Sequence, residues 1–226
     1  DMIKNDIIKY HNIEPERIDV VYNGVDLKRF NPDNKNRYRK AMREKLSLGE
    51  ELVILYISNN FRLKGLLTLV KSLGELKKSG KDFKALIVGR GNEIPYRKLA
   101  KKLGCLENLI FLGHVGEIEK YYAASDLYVH PTFYDSCSLV TTESLASGLP
   151  VITTVFDGAS GIMEDGKDGF IMRDPKNYMA LAEKISLFFN DEFRQKASIA
   201  AREKAEKYPA EKNCEEIIEI YNKVIA

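Results

Sequence analysis

No apolar run in this chain approaches the ~20 residues that a membrane-crossing helix requires. Cysteine is scarce: Cys105, Cys137 and Cys214 lie far apart, are odd in number and form no CxxC pair. That excludes a disulfide framework and a cysteine-built zinc site, and it reads as free thiols in a reducing, cytoplasmic compartment. No charge sign dominates. Lys+Arg number 35 against 33 Asp+Glu, so no bulk field draws the chain to nucleic acid or to an anionic surface. Internal repeats, low-complexity linkers and a signal peptide are also missing, and the first residue is Asp1 rather than Met. The expectation is a piece excised from a longer protein. Its 226 residues suit one large domain or a domain with appendages.

What is present is an alternation. Short β-branched runs at Arg17–Val21, Leu52–Ile57, Lys84–Val88, Leu109–Leu112, Leu127–His130, Pro150–Thr154 and Phe170–Met172 read as strands. Helical patterns separate them at Arg37–Leu48, Gly65–Ser79, Tyr96–Leu103, Ile118–Ala124 and Leu139–Ser147. Leu52–Ile57 is apolar throughout, as a strand buried on both faces should be. Three helical segments, Tyr178–Phe189, Asp191–Lys207 and Lys212–Val224, close the chain with no strand between them. They are expected to pack on one side of the sheet or to reach toward a neighbour. Strands alternating with helices predict an α/β fold with a doubly wound parallel sheet, Rossmann-like, carrying extra C-terminal helices.

In such a sheet, ligands bind at the carboxyl ends of the strands. The loops there are Ser58–Lys64, Gly89–Asn92, His114–Gly116, Thr132–Ser138 and Val155–Ser160. The first puts Asn59, Arg62 and Lys64 just ahead of a helix, where two cations and free helix N–H groups suit a diphosphate; solvated surface charge is the other reading. The second, Gly89-Arg90-Gly91, is not a GxGxxG match, and its glycines can serve the tight turn alone. The third, around Val115, could offer backbone groups to a base edge, with His114 equally readable as a surface histidine.

The stretch His130–Gly148, HPTFYDSCSLVTTESLASG, says most. Asp135 and Glu143 stand eight residues apart, with a small-residue turn and a helix start between them. The turn offers the N–H groups of Ser138, Leu139 and Val140 to an anion, and the carboxylates can hold hydroxyls of whatever carries that anion. A phosphate beside polyhydroxyl groups describes a nucleotide sugar. Acid/base cleavage of a glycosidic bond by the pair is the alternative, but it needs both groups flanking the bond. Here one lies in a loop and the other inside a helix.

With these residues in place the chain resembles the C-terminal half of a GT-B glycosyltransferase of family 4, the group 1 glycosyltransferases. YNGVDLKRFNP (Tyr22–Pro32), Lys64-Gly65, LIVGRGNE, NLIFLGHV, the aspartate of SDLYVHPT, the Asp135/Glu143 pair, ASGLPVITT and EDGKDGFIM follow in family order. HPTFYDSCSLVTTESLASGLPVITT and FDGASGIMEDGKDGF are most similar to the lipopolysaccharide core glucosyltransferases. The resemblance implies retaining transfer from a nucleotide-diphosphate sugar, UDP-glucose for that subgroup, to a glycan or lipid-linked acceptor, with no cofactor and no required metal. Residues 1–226 would form the donor-binding domain, with 1–32 as the lead-in between domains and 178–226 as C-terminal helices. The acceptor would sit on a separate N-terminal domain, which would also make any contact with the inner membrane face. By residue, Lys64 with Arg62 would neutralise the diphosphate, Glu143 would hold the ribose, and Asp135 would reach the sugar. Backbone of Ser138, Leu139 and Val140 would meet the phosphates or sugar, backbone near Val115 the base, and Asn59 and Gly89 would complete the set. Three departures stand out. Asp135 replaces a Glu, the usual arginine falls near Ser58, and Asp157-Gly158-Ala159-Ser160-Gly161 lacks the pattern's Glu. A nucleotide-sugar epimerase or phosphorylase-like domain, and a non-catalytic nucleotide-binding Rossmann module, are the alternatives.

Overall fold

The computed structural model describes residues 1–225. Its strands are β1 (Leu52–Ile57), β2 (Phe83–Val88), β3 (Leu109–Gly113), β4 (Leu127–Val129), β5 (Val151–Thr154) and β6 (Gly169–Met172). All pair in parallel, in the order β3-β2-β1-β4-β5-β6. The helices are α1 (Met2–His11), α2 (Asn34–Lys45), α3 (Leu66–Lys78), α4 (Ile94–Lys102), α5 (Glu119–Ala124), α6 (Leu139–Ala146), α7 (Tyr178–Leu187), α8 (Asp191–Ala205) and α9 (Ala210–Ile225).

The period-two geometry of β1 builds two cores at once. Leu52, Ile54 and Tyr56 face one side, with Leu66, Leu69, Val70, Leu73 and Leu76 of α3. Val53 and Leu55 face the other, with Phe30, Tyr122 and Leu145. At the opposite end from the ligand loops, Arg39 and Arg43 of α2 each reach a carboxylate oxygen of Asp126 at 2.7 Å. The Val53 amide donates to the same side chain at 2.9 Å, which ties β1 to the start of β4.

The strand order places the site. From β1 the chain winds outward to β3, then crosses back to lay β4 against the other edge of β1. That reversal opens a crevice at the carboxyl ends of β1 and β4. The two loops beside it touch: the Phe133 amide donates to Leu63 O at 2.9 Å. Gly65 makes the approach possible. Its φ is 76°, and a Cβ there would stand 1.9 Å from the Pro131 carbonyl oxygen.

Two expectations are corrected. Arg17–Val21 is not a strand. Pro15–Arg17 forms a 3-10 turn, and the following residues have no regular structure. No sheet edge lies alongside, so carbonyls of this stretch and its turn go to side chains instead: Lys4 Nζ donates to Ile18 O at 2.7 Å and Asn213 Nδ2 to Tyr22 O at 2.8 Å. The C-terminal helices do not gather on one side. α7 packs beside α3 on one face, whereas α8 passes from that core at Ala197 to the other at Ala201 and Ala205. The helix α1 has no counterpart in the sequence reading. Its Met2, Ile3, Ile7 and Ile8 are half-buried, Tyr10 is exposed, and none is fully covered.

Gly65→Ala should lower unfolding free energy by about 2–4 kcal/mol, from left-handed strain plus the clash with Pro131. Gly80→Ala, at φ 72° with nothing within 4 Å of the added Cβ, should cost only about 1 kcal/mol. Urea denaturation of both proteins measures the difference, and equal losses would remove the steric part of the argument.

Candidate functional site

Lys64 closes the turn after β1, its amide donating to Asn60 O at 2.9 Å. Across the crevice its Nζ stands 2.7 Å from Asp135 Oδ2 and donates to Tyr134 O at 2.9 Å. Asp135 is held through its backbone as well. Its amide donates to Phe156 O and its carbonyl accepts from the Gly158 amide, both at 2.8 Å. Oδ2 is also 3.1 Å from His130 Nε2, and Oδ1 makes no hydrogen bond among the described residues. Burial pushes the Asp135 carboxyl up, but hydrogen bonds from His130 and Lys64, with the Lys64 charge, outweigh it and hold the group below the ordinary carboxylate value.

Glu143, in the middle of α6, accepts from the Tyr122 hydroxyl at 2.7 Å. Tyr122 is fully buried and packs edge-on against Phe30. Burial pushes the Glu143 carboxyl up. The Tyr122 hydrogen bond and the charge of Arg29 oppose that, Glu119 adds to it, and the net shift is upward. Arg29 is itself paired with Glu119 at 2.9 Å.

Between the two carboxylates, Ser138 caps α6, its hydroxyl accepting from the Thr141 amide at 3.2 Å. The Ser138 amide donates to Asp157 Oδ1 at 3.3 Å. The N–H groups without a partner among the described residues are therefore those of Leu139 and Val140. Asp157 is wholly buried and takes further bonds from the Ala159 amide at 3.0 Å and from the Thr141 and Thr153 hydroxyls at 2.8 and 2.9 Å.

The remaining expected residues ring this centre. Asn59 accepts from the Arg90 amide at 3.0 Å, joining the first loop to the second. Gly89 has φ 118°, and a Cβ there would lie 1.8 Å from Ser58 O, so the tight turn itself demands glycine. Arg62 is exposed, makes no ion pair among the described residues, and its charge reaches the Tyr96 hydroxyl. Val115 is half-buried against the second core, and His114 is exposed. Among the described residues no three His, Cys, Asp or Glu side chains cluster as a metal site.

A sequence model of the family described as "Glycosyl transferases group 1" matches residues 38–207. The chain belongs to the group 1 glycosyltransferases. It is 27% identical over 180 residues to the lipopolysaccharide glucosyltransferase WaaG of Escherichia coli, covering 79% of this chain and 48% of that protein. It is 30% identical over 186 residues to the D-inositol 3-phosphate glycosyltransferase of Corynebacterium kroppenstedtii, covering 73% and 41%. Among solved structures, a glycosyltransferase from Rickettsia africae superposes with TM-score 0.88 at 25% identity, over 99% of this chain and 61% of that one. The chain spans about half the length of the curated relatives it matches. The Rossmann-like half of the GT-B fold is thereby established for this group 1 glycosyltransferase. No helix of the described residues is long and apolar enough to cross a membrane.

The structure thus pairs Lys64 with Asp135 and places Leu139 and Val140 at the start of α6, with Glu143 one turn along the same helix. The sequence reading treated Lys64 and Asp135 as separate contacts and gave Asp157, Tyr122 and His130 no role of their own. The first two carry no local signal: a lone Asp and a helical Tyr become informative only once folding brings Thr141 and Glu143 to them.

Tyr122→Phe should raise the Glu143 pKa further, because the lost hydrogen bond favours the ionised form. An acid whose folded pKa is raised costs stability as pH climbs from the unfolded-state value through the folded one. The variant should widen that window. Carbon-detected NMR titration of the Glu143 carboxyl reads the shift directly, and an unchanged pKa would show that Tyr122 does not govern it.

Proposed function

We propose that this group 1 glycosyltransferase domain binds a nucleotide-diphosphate sugar in the crevice between β1 and β4, and serves a retaining transfer to a glycan or lipid-linked acceptor. The observation that supports the reading is the Lys64–Asp135 pair where the strand order reverses, followed in the chain by the helix start whose Leu139 and Val140 amides have no partner among the described residues. Cation and helix N–H groups suit the diphosphate. Glu143, with one oxygen on Tyr122 and the other without a partner among the described residues, suits ribose hydroxyls. Asp135 Oδ1 suits a sugar hydroxyl. Val115 lies at the base end.

UDP-glucose is the donor we infer, supported by similarity to a lipopolysaccharide glucosyltransferase. In a retaining transfer, negative charge grows on the departing diphosphate. A cation fixed beside it then stabilises the transition state more than the ground state, and this raises rate rather than binding alone. The reaction needs no metal or cofactor in this reading. The acceptor belongs to the separate N-terminal domain, so the 226-residue chain should bind donor and transfer nothing. Calorimetric titration with UDP, GDP, ADP and their glucose conjugates tests the donor, and transfer by the isolated chain would overturn the division of labour.

Glu143→Ala should weaken UDP and UDP-glucose alike by about 1–3 kcal/mol, the scale of a charged hydrogen bond. Calorimetry with both ligands checks it, and loss confined to the sugar conjugate would move Glu143 off the ribose. Lys64→Ala in the complete enzyme should lower kcat on the order of 100-fold, with a smaller effect on donor affinity. Steady-state kinetics separate the two, and an intact kcat with lost affinity would leave Lys64 as an anchor only.

A further inference from the structure

His130 sits at the carboxyl end of β4 with only 2% of its surface exposed. A buried imidazole is costly unless both nitrogens are satisfied, and here both are. Nδ1 is 3.1 Å from the Tyr128 hydroxyl and Nε2 is 3.1 Å from Asp135 Oδ2. The Tyr128 ring is fully buried and stacks on the imidazole, with centroids 5.8 Å apart and planes 18° off parallel. Proton counting fixes the direction. An ionised Asp135 can only accept, so Nε2 carries the hydrogen. In the neutral ring Nδ1 then accepts from the Tyr128 hydroxyl, which has no other partner among the described residues.

The far end of this chain of contacts is the Lys64 ammonium, on the same Oδ2 at 2.7 Å. The short aspartate side chain keeps its carboxylate at the level of His130 and Lys64. Two donors fix one oxygen and leave the other open. An aliphatic side chain at position 130 would pack in the same core without any desolvation cost. What the imidazole adds is a second, rigid donor behind Asp135.

We propose that His130 is a positioning residue: backed by Tyr128, it clamps Asp135 Oδ2 against Lys64 and so aims the free Oδ1 at the donor sugar. The aiming half rests on the donor reading given above; the clamp itself does not. Long-range nitrogen–proton NMR of the histidine-labelled chain tests the clamp without any ligand, with His11, His114 and His130 assigned by substitution. His130 should show a single tautomer protonated on Nε2. Tyr128→Phe and Asp135→Asn should each turn it into a mixture. A wild-type ring protonated on Nδ1 or averaged between tautomers, or a spectrum unmoved in both variants, would overturn the clamp.

Titration with UDP-glucose and UDP then tests the aiming. His130→Ala should weaken UDP-glucose about 10-fold, the scale of one charge-assisted hydrogen bond, and UDP less. In the Asp135→Asn background the same change should cost under about 2-fold, since its route is already cut. His130→Gln, which places an amide donor near the position of Nε2, should recover much of the loss. Equal losses in both backgrounds would reduce His130 to a packing residue. Failure of the wild-type chain to bind either ligand would instead sink the donor reading, while the tautomer result would still decide the clamp.

Discussion

The crevice depends on a carboxylate with no exposed surface. Asp157 is wholly buried, has no cation beside it among the described residues, and is held by two hydroxyls and two amides. Its four donors come from three places: Thr153 at the end of β5, Ser138 and Thr141 at the start of α6, and Ala159 in the turn after β5. Burying a charge without a counter-charge is tolerable only when hydrogen bonds replace its hydration almost completely. The same arrangement works in reverse: removing any donor leaves the charge under-solvated, so all three segments are held together. The backbone repeats the connection, since Asp135 and Asp157 form a parallel bridge. The orientation of the α6 amides and the position of Asp135 therefore follow from one internal solvation requirement.

That requirement also explains how the local sequence tolerates its glycines. A Cβ on Gly158 would fall 1.7 Å from Ser136 O, so the turn around Asp157 closes against the loop bearing Asp135 with no room for a side chain. Gly65 and Gly89 do the same on the β1 side of the crevice, each against a carbonyl oxygen. Three backbone approaches that only glycine permits surround the site, and each brings amides and polar side chains closer than packed side chains would allow.

The fold was legible because its signals are local. LVILYI reads as a doubly buried strand whatever surrounds it, and the helix after Gly65 shows its apolar face in five leucines and valines. The failure at Arg17–Val21 has the same root: RIDVV has strand composition, but a strand exists only where a neighbour supplies a ladder, and composition cannot say whether one does. At the site, the spacing of Asp135 and Glu143 and the turn between them were readable. What was not readable is who touches whom across the crevice. Lys64 and Asp135 are 71 positions apart, and Tyr122 and Glu143 come from different helices. His130 was visible in the sequence as the first letter of the most informative stretch, yet nothing local told a buried clamp from an ordinary strand end.

The charge balance across the crevice follows from these contacts. Taken alone, Lys64 would offer a full positive charge to a diphosphate. Paired at 2.7 Å with Asp135, it presents a dipole instead, and the field at the phosphate position is correspondingly weaker. In the proposed donor complex the deficit would fall to groups with no counter-charge among the described residues: the Leu139 and Val140 amides at the positive end of α6, and the exposed guanidinium of Arg62. Such a site would hold an anion by geometry more than by net charge. If the proposed donor binds there, Lys64 would gain influence only as the leaving group's charge grew and drew the ammonium from the Asp135 carboxylate toward the phosphate oxygens. A ground-state pairing that loosens as charge develops elsewhere makes the cation's contribution differential, and differential stabilisation is the only kind that accelerates a chemical step.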